Sequence, residues 1–330
     1  MTTLVYTVTE TLRYRGKVGQ WAWVFHRVAG LGTLLFLVLH VIDTSWAAFY
    51  PELYAQAIRE YQSPLFTIGE FALVGCVVYH AFNGLRVALL DWKPAWWVHQ
   101  GRAMLYVVIA TAVVLVPVFI LMLRHVVNFY QDNEDIAGLD EIASTMSQFA
   151  LGFVVIIGAA LVLSGLYGLV TRSKQGTRLP GRLEASLWGF MRLSGVLILP
   201  LVFGHLAIMH VIQGVFDITG GGLTVVGTDA VNASGKAVEF VGQRWDYLVA
   251  GVAVWRVYDG FLLALALIHG FNGLRYVVND YARHPIVNRA LNWATLFGMV
   301  ALIVLGAAAL LAGVDDTAYK IANEVTFGHE

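Results

Sequence analysis

Seven apolar stretches, each long enough to cross a bilayer, run through this chain at about 24–47, 66–90, 103–126, 148–170, 187–213, 249–277 and 291–313. A helix rises about 1.5 Å per residue, so roughly 20 residues span the ~30 Å hydrocarbon core. Within lipid every backbone N–H and C=O must be paired inside the protein, which leaves helices or closed barrels as spanning structures. Runs of this length select helices. Composition agrees: 13% of residues are charged, about half the ~25% of a soluble domain. The mean hydropathy is +0.69. The polar coat of a water-soluble globule is missing, and the net charge of −1 gives nucleic acid nothing to bind. The expected fold is an all-α polytopic membrane protein.

Lysine and arginine set the orientation. Placing the N-terminus and the loops at 91–102, 171–186 and 278–290 in the cytoplasm, with the adjoining helix ends, puts 15 basic residues inside and 6 outside. Acidic residues run the other way, with Glu10, Asp91, Glu184 and Asp280 inside and most of the 22 outside. The N-terminus is therefore expected in the cytoplasm. Residues 1–17 are polar and basic, with no apolar core or cleavage signature of a signal peptide.

The chain repeats itself. Residues 79–86 read YHAFNGLR and residues 268–275 read IHGFNGLR. Upstream, WVFHRVAG at 23–30 matches WGFMRLSG at 188–195, and ten residues beyond each final glycine stands a histidine, His40 or His205. This divides the chain into a first three-helix unit (1–127), a second (187–330), and a linking segment (128–186) with an acidic loop, a connector helix and a basic loop. Three crossings reverse the chain, yet both units have basic ends of the same kind. The seventh span, at 148–170, restores the orientation, as though two subunits had been fused.

Ionisable residues inside a bilayer are costly and mark function. One buried histidine could simply bond a neighbouring helix. Four recurring pairwise in a repeat meet the requirement of haem for two axial imidazoles from facing helices. His80 precedes Arg86, and His269 precedes Arg275, by six residues, placing both roughly 9 Å from the cytoplasmic arginine level. His40 follows Arg27, and His205 follows Arg192, by thirteen residues, placing both roughly 20 Å deep. An inner pair, His80 with His269, and an outer pair, His40 with His205, are the expected metal ligands. His210 lies farther out without a counterpart, and His26 faces Met191 in the repeat. Arg86 and Arg275 suit haem propionates, because a guanidinium binds a carboxylate in bidentate fashion, and also suit snorkelling to headgroups. Gly30, Gly84, Gly195 and Gly273 would admit a flat macrocycle or close helix packing. The single cysteine, Cys76, excludes disulfides, a cysteine-ligated iron–sulfur cluster in this chain and a covalent haem motif.

These residues resemble the cytochrome b membrane-anchor subunits of succinate dehydrogenase and fumarate reductase. The first unit is similar to the larger anchor subunit, with its H-R-V-x-G opening at His26–Gly30 and a histidine followed by G-x-R at His80, Gly84 and Arg86. The second is similar to the smaller one, in which a haem histidine precedes an Asp-Tyr pair by eleven residues, here His269, Asp280 and Tyr281. The resemblance covers both units and not the connector. It implies b haems, two in number, and a quinone pocket at the cytoplasmic end. There Arg27 and Tyr281 lie near the quinone carbonyl, Asp280 supports Arg27, and Trp23 replaces a serine common in one-haem members. It further implies a flavoprotein and an iron–sulfur subunit as partners in a respiratory complex of the bacterial cytoplasmic membrane, with succinate chemistry left to them. A distal quinone site would draw on Glu70, Arg124, Arg256 and Asp259. The alternative is a dihaem cytochrome b of another quinone-linked dehydrogenase or hydrogenase.

Overall fold

The computed structural model describes residues 16–132 and 181–315, with scattered positions within 138–166 and 317–321. Helix α1 spans Val18–Phe49, α2 Pro51–Tyr61, α3 Pro64–Trp92 and α4 Gln100–Asp132, the last entered through a 3-10 turn at Pro94–His99. Helix α5 (Arg182–Ala207) runs into a π-helical turn at Ile208–Ile212, and α6 covers Ala237–Trp245, α7 Val254–Tyr281 and α8 Pro285–Ala312. Proline opens α2, α3 and α8, where its missing N–H is unneeded and its fixed φ suits a first helical residue.

Six helices are long and apolar enough to cross a membrane among the described residues: α1, α3, α4, α5, α7 and α8. Their large side chains point outward, with Val113, Val116 and Ile120 on α4 more than half exposed, as expected of a surface solvated by lipid. The expected seventh span at 148–170, with the basic loop that follows it, lies largely outside the described residues.

Helices α1, α3, α5 and α7 form the centre. Helix α1 packs on α3, α3 on α5, α5 on α7, and α7 back on α1, so the two units meet along two seams; α4 flanks α3, and α8 flanks α7 and α1. The α1–α7–α8 seam is apolar, built on Leu34, Val41, Leu267, Phe271 and Leu302. Small residues let it close. A Cβ at Gly270 would meet Leu34, and one at Gly306 would meet Leu263 and Val41.

The sequence repeat recurs as repeated bonding. Asn83 donates from Nδ2 to the Ala22 carbonyl, and its equivalent Asn272 donates to the Leu187 carbonyl, both at 3.4 Å. Both asparagines are buried. Two ion pairs exchange partners across the units: Arg27 of α1 with Asp280 of α7, and Arg192 of α5 with Asp91 of α3 at 2.9 Å.

One boundary differs from the sequence expectation. The span expected from 249 begins at Val254, because Leu248–Val249 and Val252–Ala253 pair as a tiny antiparallel hairpin. Its two turn residues, Ala250 and Gly251, have φ of 51° and 81°, the left-handed conformation that two-residue hairpins demand. The apolar run is continuous in composition but not in backbone.

The hairpin belongs to a cap over the end of the bundle where α1 terminates. It comprises α2, the 213–253 segment and α6, closed around Tyr54, Ile58, Val225, Val238, Phe240 and Trp245. Gln213 ties the cap together, donating to the Thr224 carbonyl at 3.0 Å and accepting from the Val226 N–H at 2.9 Å. Phe240 is almost fully buried here, so Phe240→Ala should cost about 3–5 kcal/mol. Thermal unfolding of the detergent-solubilised protein checks it, with an unchanged melting point as the contrary result.

Candidate functional site

Each of the four central helices contributes a histidine of the two pairs to the interior: His40 from α1, which also carries His26, His80 from α3, His205 from α5 and His269 from α7. The ring of contacts around the bundle makes α3 and α7 diagonal partners, and likewise α1 and α5. Across these diagonals the imidazoles meet. His80 and His269 have ring centroids 6.4 Å apart with planes at 89°, and His40 and His205 are 5.9 Å apart at 73°. Two imidazoles bound to one metal through nitrogens at about 2 Å have centroids about 6 Å apart.

Hydrogen bonds orient the inner rings. His80 Nδ1 lies 3.1 Å from the His26 carbonyl oxygen, and His269 Nδ1 lies 2.9 Å from Ser194 Oγ. A carbonyl can only accept, so Nδ1 of His80 carries the proton and Nε2 keeps its lone pair, the arrangement that ligating histidines adopt. His205 Nδ1 is buried without a partner. His26 lies flat against His80, centroids 4.0 Å apart at 5°, with its Nδ1 buried and unbonded.

The glycines turn out to serve the side chains. A Cβ on Gly30 would come within 2.8 Å of His80 Cε1, and one on Gly195 within 3.3 Å of His269 Cε1; Gly84 faces His26 and Gly273 faces Met191. Gly30 and Gly195 thus make room for the histidine at the equivalent place in the repeat, whereas Gly84 and Gly273 stand at ordinary contact distance, 3.5 and 3.7 Å.

The two arginines of the repeat part company. Arg275 is held bidentately by Glu184 at 3.0 and 2.8 Å and also donates to Asn272. Arg86 is buried at 8% exposure, with Nε and Nη1 lacking any partner. Of the pair, Arg86 has donors to spare for a carboxylate.

At the end where α1 begins, Trp23, Arg27, Asp280 and Tyr281 come together. The Arg27 guanidinium pairs with Asp280 and lies 4.0 Å from the Trp23 ring centroid and 5.7 Å from that of Tyr281. Its Nη1 is buried and unbonded, whereas Tyr281 is well exposed. The cluster offers a guanidinium and a phenol as donors at the rim of the bundle.

The other end is more crowded than the sequence suggested. His210 sits on the π-helical turn and meets Glu70 at 2.8 Å. Arg256 is spent on structure, bonding Asp246 and the carbonyls of Trp245 and Leu310. Asp259 accepts from Trp245 Nε1 at 3.2 Å. Sequence reasoning passed over Arg244, which lies on α6 and is buried within the cap. Burial draws its pKa below the usual guanidinium value. Its signal was the lone arginine in an outer loop otherwise rich in glycine.

The contrast among the glycines is testable. Gly30→Ala must push the His80 ring aside and should cost about 1–3 kcal/mol. Gly273→Ala, whose nearest neighbour is the flexible end of Met191 at 3.7 Å, should be neutral or gain up to about 1 kcal/mol of helix propensity. Paired thermal unfolding curves in detergent read the difference; equal melting points would contradict it.

Comparison with known proteins adds the family. The model of the succinate dehydrogenase/fumarate reductase transmembrane subunit matches residues 7–119 and 169–310. Relatives include the succinate dehydrogenase 2 membrane subunit SdhC of Mycobacterium tuberculosis, 38% identical over 96 residues, which are 28% of this chain and 71% of that protein. A succinate dehydrogenase hydrophobic membrane anchor subunit of Halobacterium salinarum is 28% identical over 76 residues, 23% of this chain and 58% of its own. One from Archaeoglobus fulgidus is 33% identical over 70 residues, 21% of this chain and 60% of its own. With its multi-pass helical fold and a family match over most of its length, the chain belongs to the succinate dehydrogenase/fumarate reductase transmembrane subunits.

Proposed function

We propose that the protein anchors a succinate:quinone oxidoreductase in the bacterial cytoplasmic membrane, holds two b haems, and passes electrons from an iron–sulfur partner subunit to a membrane quinone. A flavoprotein partner oxidises succinate. The observation that carries this reading is the diagonal pairing of imidazoles, with centroids 6.4 and 5.9 Å apart. Donors left without partners support it too: Arg86 Nε and Nη1, and His205 Nδ1. Unpaired buried donors cost free energy, and a propionate-bearing group is chemically suited to Arg86.

His80 and His269 would hold the inner haem, and His40 and His205 the outer one. Haem b, when bound, supplies reversible one-electron storage, tuned by its axial ligands and by burial. The chain's own part is geometric and electrostatic. The His26 carbonyl and Ser194 fix the inner rings. Arg86 would neutralise a propionate of the inner haem. Arg275, already paired with Glu184, contributes charge from one step away. The outward apolar surface keeps both rings in lipid-solvated helices away from water.

The 15-to-6 distribution of basic residues supports an N-terminal end of α1 that faces the cytoplasm. The cluster of Trp23, Arg27, Asp280 and Tyr281 therefore opens toward the docking partners. A quinone oxygen grows negative on reduction. Arg27 Nη1 and the Tyr281 hydroxyl are donors positioned to stabilise that charge, while Asp280 orients Arg27 and Trp23 walls the site.

A pyridine haemochrome assay on the purified complex should give two haems per chain, with one lost in His40→Ala and one in His80→Ala. Unchanged haem in His80→Ala would exclude the inner pair. For the quinone site, Tyr281→Phe removes one hydrogen bond to a developing charge, worth about 1.5 kcal/mol or roughly tenfold in rate. Succinate-to-quinone electron transfer should fall about tenfold, with succinate oxidation by an artificial acceptor unaltered; equal losses in both assays would remove Tyr281 from the site.

A further inference from the structure

Arg244 lies on the last turn of α6, in the cap and outside the repeat, at 5% exposure. Its guanidinium lies 3.8 Å from the Trp255 ring centroid, and Nη1 donates to the Val226 carbonyl at 3.3 Å. Nη2 is buried and has no partner at all. Asp259 is within charge range, and its Oδ2 accepts from Trp245 Nε1. Tyr258 donates to the Leu201 carbonyl. Trp255 in turn meets the Tyr258 ring, centroids 5.7 Å apart, and the Tyr258 hydroxyl lies 3.0 Å from where a Cβ on Gly204, the neighbour of His205, would sit. A cation so enclosed, with one donor idle, calls for an anion. A planar guanidinium already stacked on an aromatic ring is shaped to take a carboxylate.

We infer that Arg244 is the carboxylate-binding residue of the outer haem, its free Nη2 gripping a propionate beside the His40–His205 pair. This rests on the two-haem reading above. Each imidazole pair then has one under-bonded buried guanidinium nearby, Arg86 at the inner pair and Arg244 at the outer. They come from different sources. Arg86 belongs to the repeated helices, whereas the second unit's equivalent, Arg275, is occupied by Glu184, and the cap delivers Arg244 from the opposite end. The cap is thereby part of a cofactor site as well as a lid over the helix ends.

Redox titration of the purified complex, followed in the haem absorption bands, tests this. In Arg244→Gln the midpoint potential of one haem should fall, because a cation that favours the added electron is gone. The haem affected should be the one absent from His40→Ala, and the other should keep its potential. Two haems with unmoved potentials, or a shift confined to the haem lost in His80→Ala, would overturn the assignment of Arg244 and leave the two-haem reading intact. A parent complex with a single haem would overturn both. Should Arg244→Gln fail to assemble, Arg244→Lys retains the charge without the planar fork. Its resonance Raman propionate-bending band should then shift while the potentials stay near those of the parent. An unshifted band overturns the proposal.

Discussion

An imidazole in the middle of a lipid-solvated bundle must find a partner, because neither lipid nor an apolar core can satisfy its nitrogens. Four such rings, each on a different central helix, set the arrangement of everything around them. They call for small residues opposite, and Gly30 and Gly195 supply the space. They call for orienting acceptors, and the His26 carbonyl and Ser194 hydroxyl stand at Nδ1 of the inner rings. They also fix which helices lie diagonal to one another, since each meeting joins one helix of the first unit to one of the second. The outward faces carry no comparable demand and are simply apolar.

The repeat explains why the two members of each pair lie at matched heights and why the two units are not identical. Equivalent positions keep the bonding of Asn83 and Asn272 and the ion pairs of Arg27 and Arg192. Other positions have diverged. His26 stacks on His80 where Met191 stands in the second unit, and Tyr281 occupies a place that the first unit fills with Trp92. Arg275 is bound by Glu184 while Arg86 keeps two donors free. A duplicated frame has been given unequal ends, with the phenol near only one of the two exchanged ion pairs.

Much of this was legible in the sequence, for physical reasons. Spans are readable because hydrocarbon thickness imposes a length on them, and the six described crossings fall where apolar runs were found. The histidine pairs are readable because helical rise turns spacing from arginine into depth, and the structure brings those four rings together in the expected couples. The cap was not readable. Its elements are short, and its apolar residues merge with those of the membrane helices, so Val249–Ala253 looked like the start of a span. Helix α2 and α6 bury Tyr54 and Phe240 against each other's surroundings, contacts between segments nearly two hundred residues apart that no local pattern announces. Arg244 was missed for the same reason, since its burial is created by the cap.

The exchanged ion pairs have a consequence for assembly. Arg27 and Arg192 each reach for an acid on the opposite unit, so neither half can complete its own charges. Were the chain severed in the linking segment, the fragments would still bear complementary addresses along both seams. They would have one in-register way to rejoin, because shifting either seam by a single turn would part a guanidinium from its acid.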